Sequence, residues 1–165
     1  ASRFDLSVNP QQVEQFQDVV DQESSCSGVF FDAKNALKVL KARGFKLSLV
    51  SNLWSFPVDC LFAEDNLGKY FPEELRVYSF VEGVSKPDPE IYRRAYIRNN
   101  AHPGDCLMIG DHLENDILPA LAVGMKACLV DRNRKYDPAV IPDGVLVVKS
   151  MEDLIDLLPE APAAY

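Results

Sequence analysis

The sequence predicts an α/β fold built on a mostly parallel sheet. Three observations lead there. Short aliphatic runs recur at 45–50, 106–109, 127–130 and 145–148. Between them lie stretches whose apolar positions repeat at helical spacing, at 33–43, 88–99, 117–123 and 151–158. Strands alternating with helices at this interval imply right-handed crossovers, and so parallel pairing. The run at 106–109 is apolar throughout rather than alternating, as a strand covered on both faces is. A length of 165 residues favours one sizeable core.

The elements are justified in order as follows. Residues 9–23 read as a helix, with Asn9 able to cap, Pro10 in the first turn, and Val13, Phe16 and Val20 on one face. The stretch 24–28, SSCSG, breaks the pattern. Residues 29–31 are a short apolar run ending at Asp32. Residues 33–43 form an amphipathic helix with Leu37 and Leu40 inward, closed by Gly44. The strand at 45–50 leads straight into Ser51-Asn52. A helix follows Pro57 over 58–66, and 77–81 reads as a short strand. The stretch 85–92, SKPDPEIY, is a proline-framed loop entering the helix 88–99, whose Ile91 and Ala95 stand four apart. The strand 106–109 precedes the helix 117–123, which Gly124 ends. The strand 127–130, a polar loop at 131–138, the strand 145–148 and a helix at 151–158 capped by Ser150 complete the order. We expect an N-terminal helical segment over 1–27, an α/β core over 28–158 and a frayed tail over 159–165.

The formal charge is −8, from 17 basic and 25 acidic residues. That balance argues against nucleic acid or an anionic membrane as a general partner. A phosphorylated small molecule stays compatible, because a metal ion and one lysine can reverse the local sign. No apolar run is long enough to span a bilayer, and the opening ASRFDLSVNPQQ lacks the basic and apolar regions of a signal peptide. Cys26, Cys60, Cys106 and Cys128 form no CxxC pair, which reads as four reduced structural thiols and a cytoplasmic location. With two histidines and no ligand spacing, a zinc site is not expected. Trp54, Phe56, Phe62, Tyr70 and Phe71 read as core. Homo-oligomerisation is left open.

The chemistry-bearing residues gather at strand ends. In LMIGDHLEND, at 107–116, Gly110 lets the chain turn at the end of a buried strand. Asp111 follows it, and Asp116 comes five residues later. Ligands of open parallel sheets bind outside the carboxyl ends of the strands. Paired carboxylates there suit a hard cation such as Mg²⁺, which keeps waters for a phosphate to displace. Taken alone, the same stretch also reads as a polar loop with aspartate as a helix cap. Ser51 and Asn52 occupy a second strand tip, and Lys86 arrives from the loop between two prolines. A hydroxyl, an ammonium and two carboxylates are the components of a phosphoryl site.

On these residues the chain resembles the haloacid dehalogenase-like (HAD) hydrolase superfamily, and its phosphatases in particular. GFKLSLVSN resembles the second family motif, SKPDPEIYRRA the third, and IGDHLENDILPALAVGMKACLV the fourth. The resemblance implies a Rossmann-like three-layer α/β/α fold and phosphoryl transfer through an aspartyl-phosphate. It also implies Mg²⁺ as cofactor and a small phosphorylated metabolite as partner. By residue, it implies Ser51 and Asn52 on phosphate, Lys86 neutralising phosphate and nucleophile, and Asp111 and Asp116 as Mg²⁺ ligands or their supports.

The first family motif, DxDxT/V, carries the nucleophile and the general acid/base. No DxD occurs in this chain. Two readings are open. In one, VFFDAKNAL at 29–37 is a degenerate first motif, with Asp32 at the nucleophile position and Lys34 in place of the second aspartate. In the other, residues 1–27 end a helical cap and the first motif is not in this sequence. Loop length favours the second, because a helix starting at 33 leaves no room for the turn that normally follows the nucleophile. The expected function is therefore a Mg²⁺-dependent phosphate monoester hydrolase with an incomplete site. The alternative is an inactive scaffold or regulatory module. A receiver-like phosphoacceptor domain fits less well, because receivers place the acidic pair before the acceptor strand.

Overall fold

The computed structural model describes residues 29–53 and 67–159, together with Gln11. The helices expected at 9–23 and 58–66 lie outside the described residues, as do Cys26, Trp54, Phe56, Cys60 and Phe62. In chain order the described elements are α1 (Phe31–Ala42), β1 (Leu49–Ser51), β2 (Arg76–Tyr78), α2 (Ser79–Glu82) and α3 (Pro89–Arg98). There follow β3 (Leu107–Gly110), a π-helical turn (Leu113–Ile117), α4 (Leu118–Ala122), β4 (Lys126–Val130), β5 (Leu146–Val148) and α5 (Met151–Leu157).

Among the described residues all strand pairings are parallel, as the alternation predicts. β1 lies beside β2, with Leu49 opposite Arg76 and Ser51 opposite Tyr78. β3, β4 and β5 form a second sheet in that order. No strand pairing joins β1 to β3 among the described residues. A common core nevertheless spans the two sheets. Met108 of β3 packs with Val77 of β2, with Ile91, Tyr92 and Ala95 of α3, and with Ala120 of α4. Its neighbours Leu107 and Ile109 face the other way, toward Val148 and Leu154 of α5. β4 divides likewise, with Ala127 and Leu129 on the side of Leu113 and Ile117, and Cys128 and Val130 on the side of α5. This two-residue period puts helices on both faces, giving the three layers of a Rossmann-like fold. Burial pushes the Cys128 thiol up to about 11, so it behaves as a small apolar side chain.

Several boundaries differ from the sequence expectation. The helix expected from 33 starts at Phe31, inside the apolar run 29–31, and Phe30 and Phe31 are 66% and 78% exposed. Three apolar residues do not outweigh the helical period that follows them. α1 buries Ala36 and Leu40. It stops where Gly44, at φ 87°, lets its own N–H reach the Lys41 carbonyl and the Phe45 N–H reach that of Leu40. The strand expected at 77–81 ends at Tyr78. The next four residues coil instead, because the Glu82 carboxylate is held by Arg94 at 2.8 Å and Arg98 at 2.6 Å, both on α3. The helix expected from 117 is preceded by the π-helical turn. Among the described residues no helix is long and apolar enough to cross a membrane.

α1 packs against α5, and Arg43 donates to the Ile155 and Leu158 carbonyls at 2.8 and 2.7 Å. Asp32 ties the opposite ends together. Its Oδ2 accepts the Met151 N–H at the start of α5 at 3.0 Å and pairs with Arg132 at 2.7 Å. Partial burial raises its pKa, but the Met151 N–H, the Arg132 guanidinium and the Ala33 N–H outweigh that. Together they hold the carboxyl below its ordinary value of 3.8. A depressed folded-state pKa contributes stability above the unfolded-state value, and this is lost as the pH falls through the folded-state value. Asp32→Asn should therefore lower stability at pH 7 by about 1–2 kcal/mol. Denaturant melts of variant and parent should converge in acid, and an unchanged gap between them would contradict this.

Candidate functional site

The site lies where the tips of β1 and β3 are brought together by the loop before α3. Ser51 ends β1, and Asn52 follows it. The Asn52 side-chain amide makes two hydrogen bonds to the backbone of Lys86. Its Nδ2 donates to the Lys86 carbonyl at 2.9 Å, and its Oδ1 accepts the Lys86 N–H at 2.7 Å. The loop is closed on its far side by Asp88, which caps α3 by accepting the Glu90 N–H. So anchored, Lys86 extends its ammonium to Asp116 Oδ1 at 2.6 Å. The second oxygen of Asp116 accepts the His112 N–H at 3.0 Å. Asp111 stands between Gly110 and His112, exposed at the tip of β3.

Asp116 is only 3% exposed. It reaches this position because Gly110 has no side chain: a Cβ there would lie 2.4 Å from both Cβ and Cγ of Asp116. The π-helical turn carries Asp116 back over the strand end, and single π turns of this kind concentrate at functional sites. Two tyrosines brace it. The hydroxyl of wholly buried Tyr92 donates to the Asn115 carbonyl. Burial, with the nearby Asp116 charge, pushes that phenol well above the usual tyrosine range. Tyr136 accepts the Leu113 N–H at 3.1 Å. The loop that brings Tyr136 is organised by buried Asp131, which accepts the Lys135 and Tyr136 N–H groups at 2.7 and 3.1 Å. The Lys135 ammonium rests 4.8 Å from the Tyr136 ring centroid.

Of the residues singled out from sequence, Asn52, Lys86 and Asp116 form one hydrogen-bonded chain; Ser51 directly precedes Asn52, and Asp111 directly precedes His112, whose N–H bonds Asp116. The Ser51 hydroxyl is bonded by no described residue. Asp32 is not part of this chain; it sits in the first turn of α1, on Arg132 and Met151. The roles of Tyr92, Tyr136 and Asp131 did not come out of the sequence reading. The one available signal was Pro119, which has no N–H to offer the carbonyl four residues before it.

The contacts from Asn52 through Lys86 to Asp116 join the end of β1 to the turn after β3, with Ser51 beside Asn52 in sequence and Asp111 at the β3 tip. Among the described residues no group of three or more His, Cys, Asp or Glu side chains is placed to hold a metal ion. The donor set still fits Mg²⁺, which is commonly bound through one or two carboxylates with waters and a phosphate supplying the rest.

A family model described as HAD-hydrolase-like matches residues 83–154. The phosphoserine phosphatase of Thermus thermophilus is 28% identical over 137 residues, 81% of this chain and 53% of that protein. The haloacid dehalogenase-like hydrolase domain-containing protein 3 of Bos taurus is 33% identical over 127 residues, 77% of this chain and 49% of that protein. The chain thus spans about half the length of these curated relatives. Among solved structures, a HAD phosphatase from Thermococcus onnurineus superposes with a TM-score of 0.71 at 23% identity, over 94% of this chain and 67% of that one. The HAD-hydrolase-type protein YfnB of Bacillus subtilis, solved bound to magnesium, gives 0.76 at 21% identity, over 92% and 65%. At those identities the two structures speak for the fold alone.

The close approach at Gly110 has a measurable consequence. Gly110→Ala should displace Asp116 from Lys86 and cost about 1–3 kcal/mol of stability by overpacking. Thermal denaturation checks it, and an unshifted melting temperature would show that Asp116 does not need the space.

Proposed function

We propose that this chain, which belongs to the haloacid dehalogenase-like superfamily, supplies the phosphate- and Mg²⁺-binding half of a phosphate monoester hydrolase site. The observation that carries this reading is the chain of contacts from Asn52 through Lys86 to Asp116, joining the tips of strands from two sheets. The curated relatives named as phosphatases support the reaction class. They include a ribulose-1,5-bisphosphate 5-phosphatase and phosphoglycolate phosphatases, which favours a small phosphorylated metabolite as substrate.

In this reading the Ser51 hydroxyl donates to a phosphoryl oxygen. Lys86 sets its positive charge against the same group, and the amide of Asn52 fixes the loop from which it does so. Asp116 orients the Lys86 ammonium and, with Asp111, would hold Mg²⁺, each carboxylate having lone pairs to spare. When bound, the ion would supply positive charge against the phosphoryl oxygens. A carboxylate nucleophile then has to come from outside the described residues. Two features support assigning Asp32 to structure instead. It lies on a helix rather than at a strand tip, and Arg132 and Met151 occupy its Oδ2.

A second reading, a binding module that keeps phosphate affinity without turnover, draws on the same facts. Among the described residues the rim carboxylates are Asp111 and Asp116, and Asp116 is committed to Lys86.

Phosphate release from generic phosphomonoesters with Mg²⁺ separates the two. Turnover reduced at least about 100-fold by Lys86→Ala and left intact by Asp32→Asn supports the hydrolase. Turnover that survives Lys86→Ala overturns the assignment of the site. Loss of turnover in Asp32→Asn would return Asp32 to the mechanism.

A further inference from the structure

We propose that Tyr92 is a positioning residue for Asp116. Its hydroxyl stands in for the backbone hydrogen bond that Pro119 removes, and so holds the turn in which Asp116 faces Lys86. In α-helical register the Asn115 carbonyl would accept the N–H of residue 119. That residue is Pro119, which has none. The segment answers with a π-helical turn over Leu113–Ile117 and with a donor from another element, the Tyr92 hydroxyl of α3, which bonds the Asn115 carbonyl. Tyr92 is wholly buried, so its hydroxyl has no water to fall back on. A buried phenol thus bonds a carbonyl that Pro119 deprives of its α-helical donor.

Asn115 directly precedes Asp116, so the peptide group that Tyr92 fixes is the one that leads into the carboxylate. The other side of the ion pair is set by the same helix. Lys86 leaves the loop that Asp88 caps at the start of α3, and Tyr92 lies on the first turns of that helix. α3 therefore controls both partners of the Lys86–Asp116 contact, one through a cap and the other through a phenol. Pro119 and Tyr92 form a matched pair: the proline creates the need, and the tyrosine meets it.

Tyr92→Phe keeps the ring and its packing and removes only the donor. Pro119→Ala restores an N–H that the Asn115 carbonyl can accept. Two measurements are read on both single variants and the double variant. One is hydrogen exchange of the amides at 113–117; the other is Mg²⁺ affinity by calorimetry, which alone rests on the proposed phosphoryl site. Tyr92→Phe should speed exchange across the turn about tenfold and weaken Mg²⁺ binding about tenfold, at the low end of outer-shell effects. In the Pro119→Ala background it should change each by less than about twofold. Unchanged exchange in Tyr92→Phe overturns the proposal, as does an equal effect in both backgrounds. If the parent chain binds no Mg²⁺, the reading of the rim as a metal–phosphate site fails, and the exchange cycle still decides the role of Tyr92.

Discussion

The contact between Lys86 and Asp116 is the constraint on which the rest of the site depends. The two side chains are 16% and 4% exposed, so each has left water and needs the other. Removing one partner from such a buried pair typically costs about 3–5 kcal/mol, because it strands a charge. The surrounding structure is organised to deliver both ends. Asn52 grips the backbone of Lys86, and the π-helical turn with Gly110 returns Asp116 to the strand tip. Coordinating a phosphoryl group would exploit that arrangement, since the lysine is already held at the rim with little rotamer freedom left to lose.

The division of the strands into two sheets is the second organising fact. β1–β2 and β3–β4–β5 share a core through Met108, Val77 and α3. Among the described residues, however, no strand bridges β1 and β3, so backbone groups along those edges have no strand partner within the described fold. The strand expected to carry a nucleophile is central in folds of this kind. Residues 29–31, the one described segment that might have filled that place, are a helix start with two exposed aromatic rings. Among the described residues, the buried carboxylates Asp116 and Asp131 both have hydrogen-bond partners.

Much of the fold was legible in the sequence. Buried parallel strands announce themselves as unbroken apolar runs, and α1, α3 and α5 carry both the period and the caps of helices. Ser150 and Asp153 even form a reciprocal capping box. The strand tips were legible too, because a parallel sheet sends all of them to one edge. What stayed hidden was set by contacts distant in sequence. Asp32 stayed open between a degenerate nucleophile position and the lead into a helix, and its bonds to Arg132 and Met151 are made from the first turn of α1. The strand at 77–81 was cut short by Glu82 reaching Arg94 and Arg98. The bracing by Tyr92 and Tyr136 depends on hydroxyls crossing between elements, to which Pro119 is a local pointer but not a partner.

The central claim is that Lys86 and the β3-tip carboxylates together hold a metal-associated phosphoryl anion. Calorimetric titration of inorganic phosphate into the chain, with and without Mg²⁺, tests it most directly. The account predicts that Mg²⁺ tightens phosphate binding and that Lys86→Met abolishes both the binding and its Mg²⁺ dependence. Phosphate binding indifferent to Mg²⁺ and to Lys86, or no binding at all by the folded chain, would contradict it.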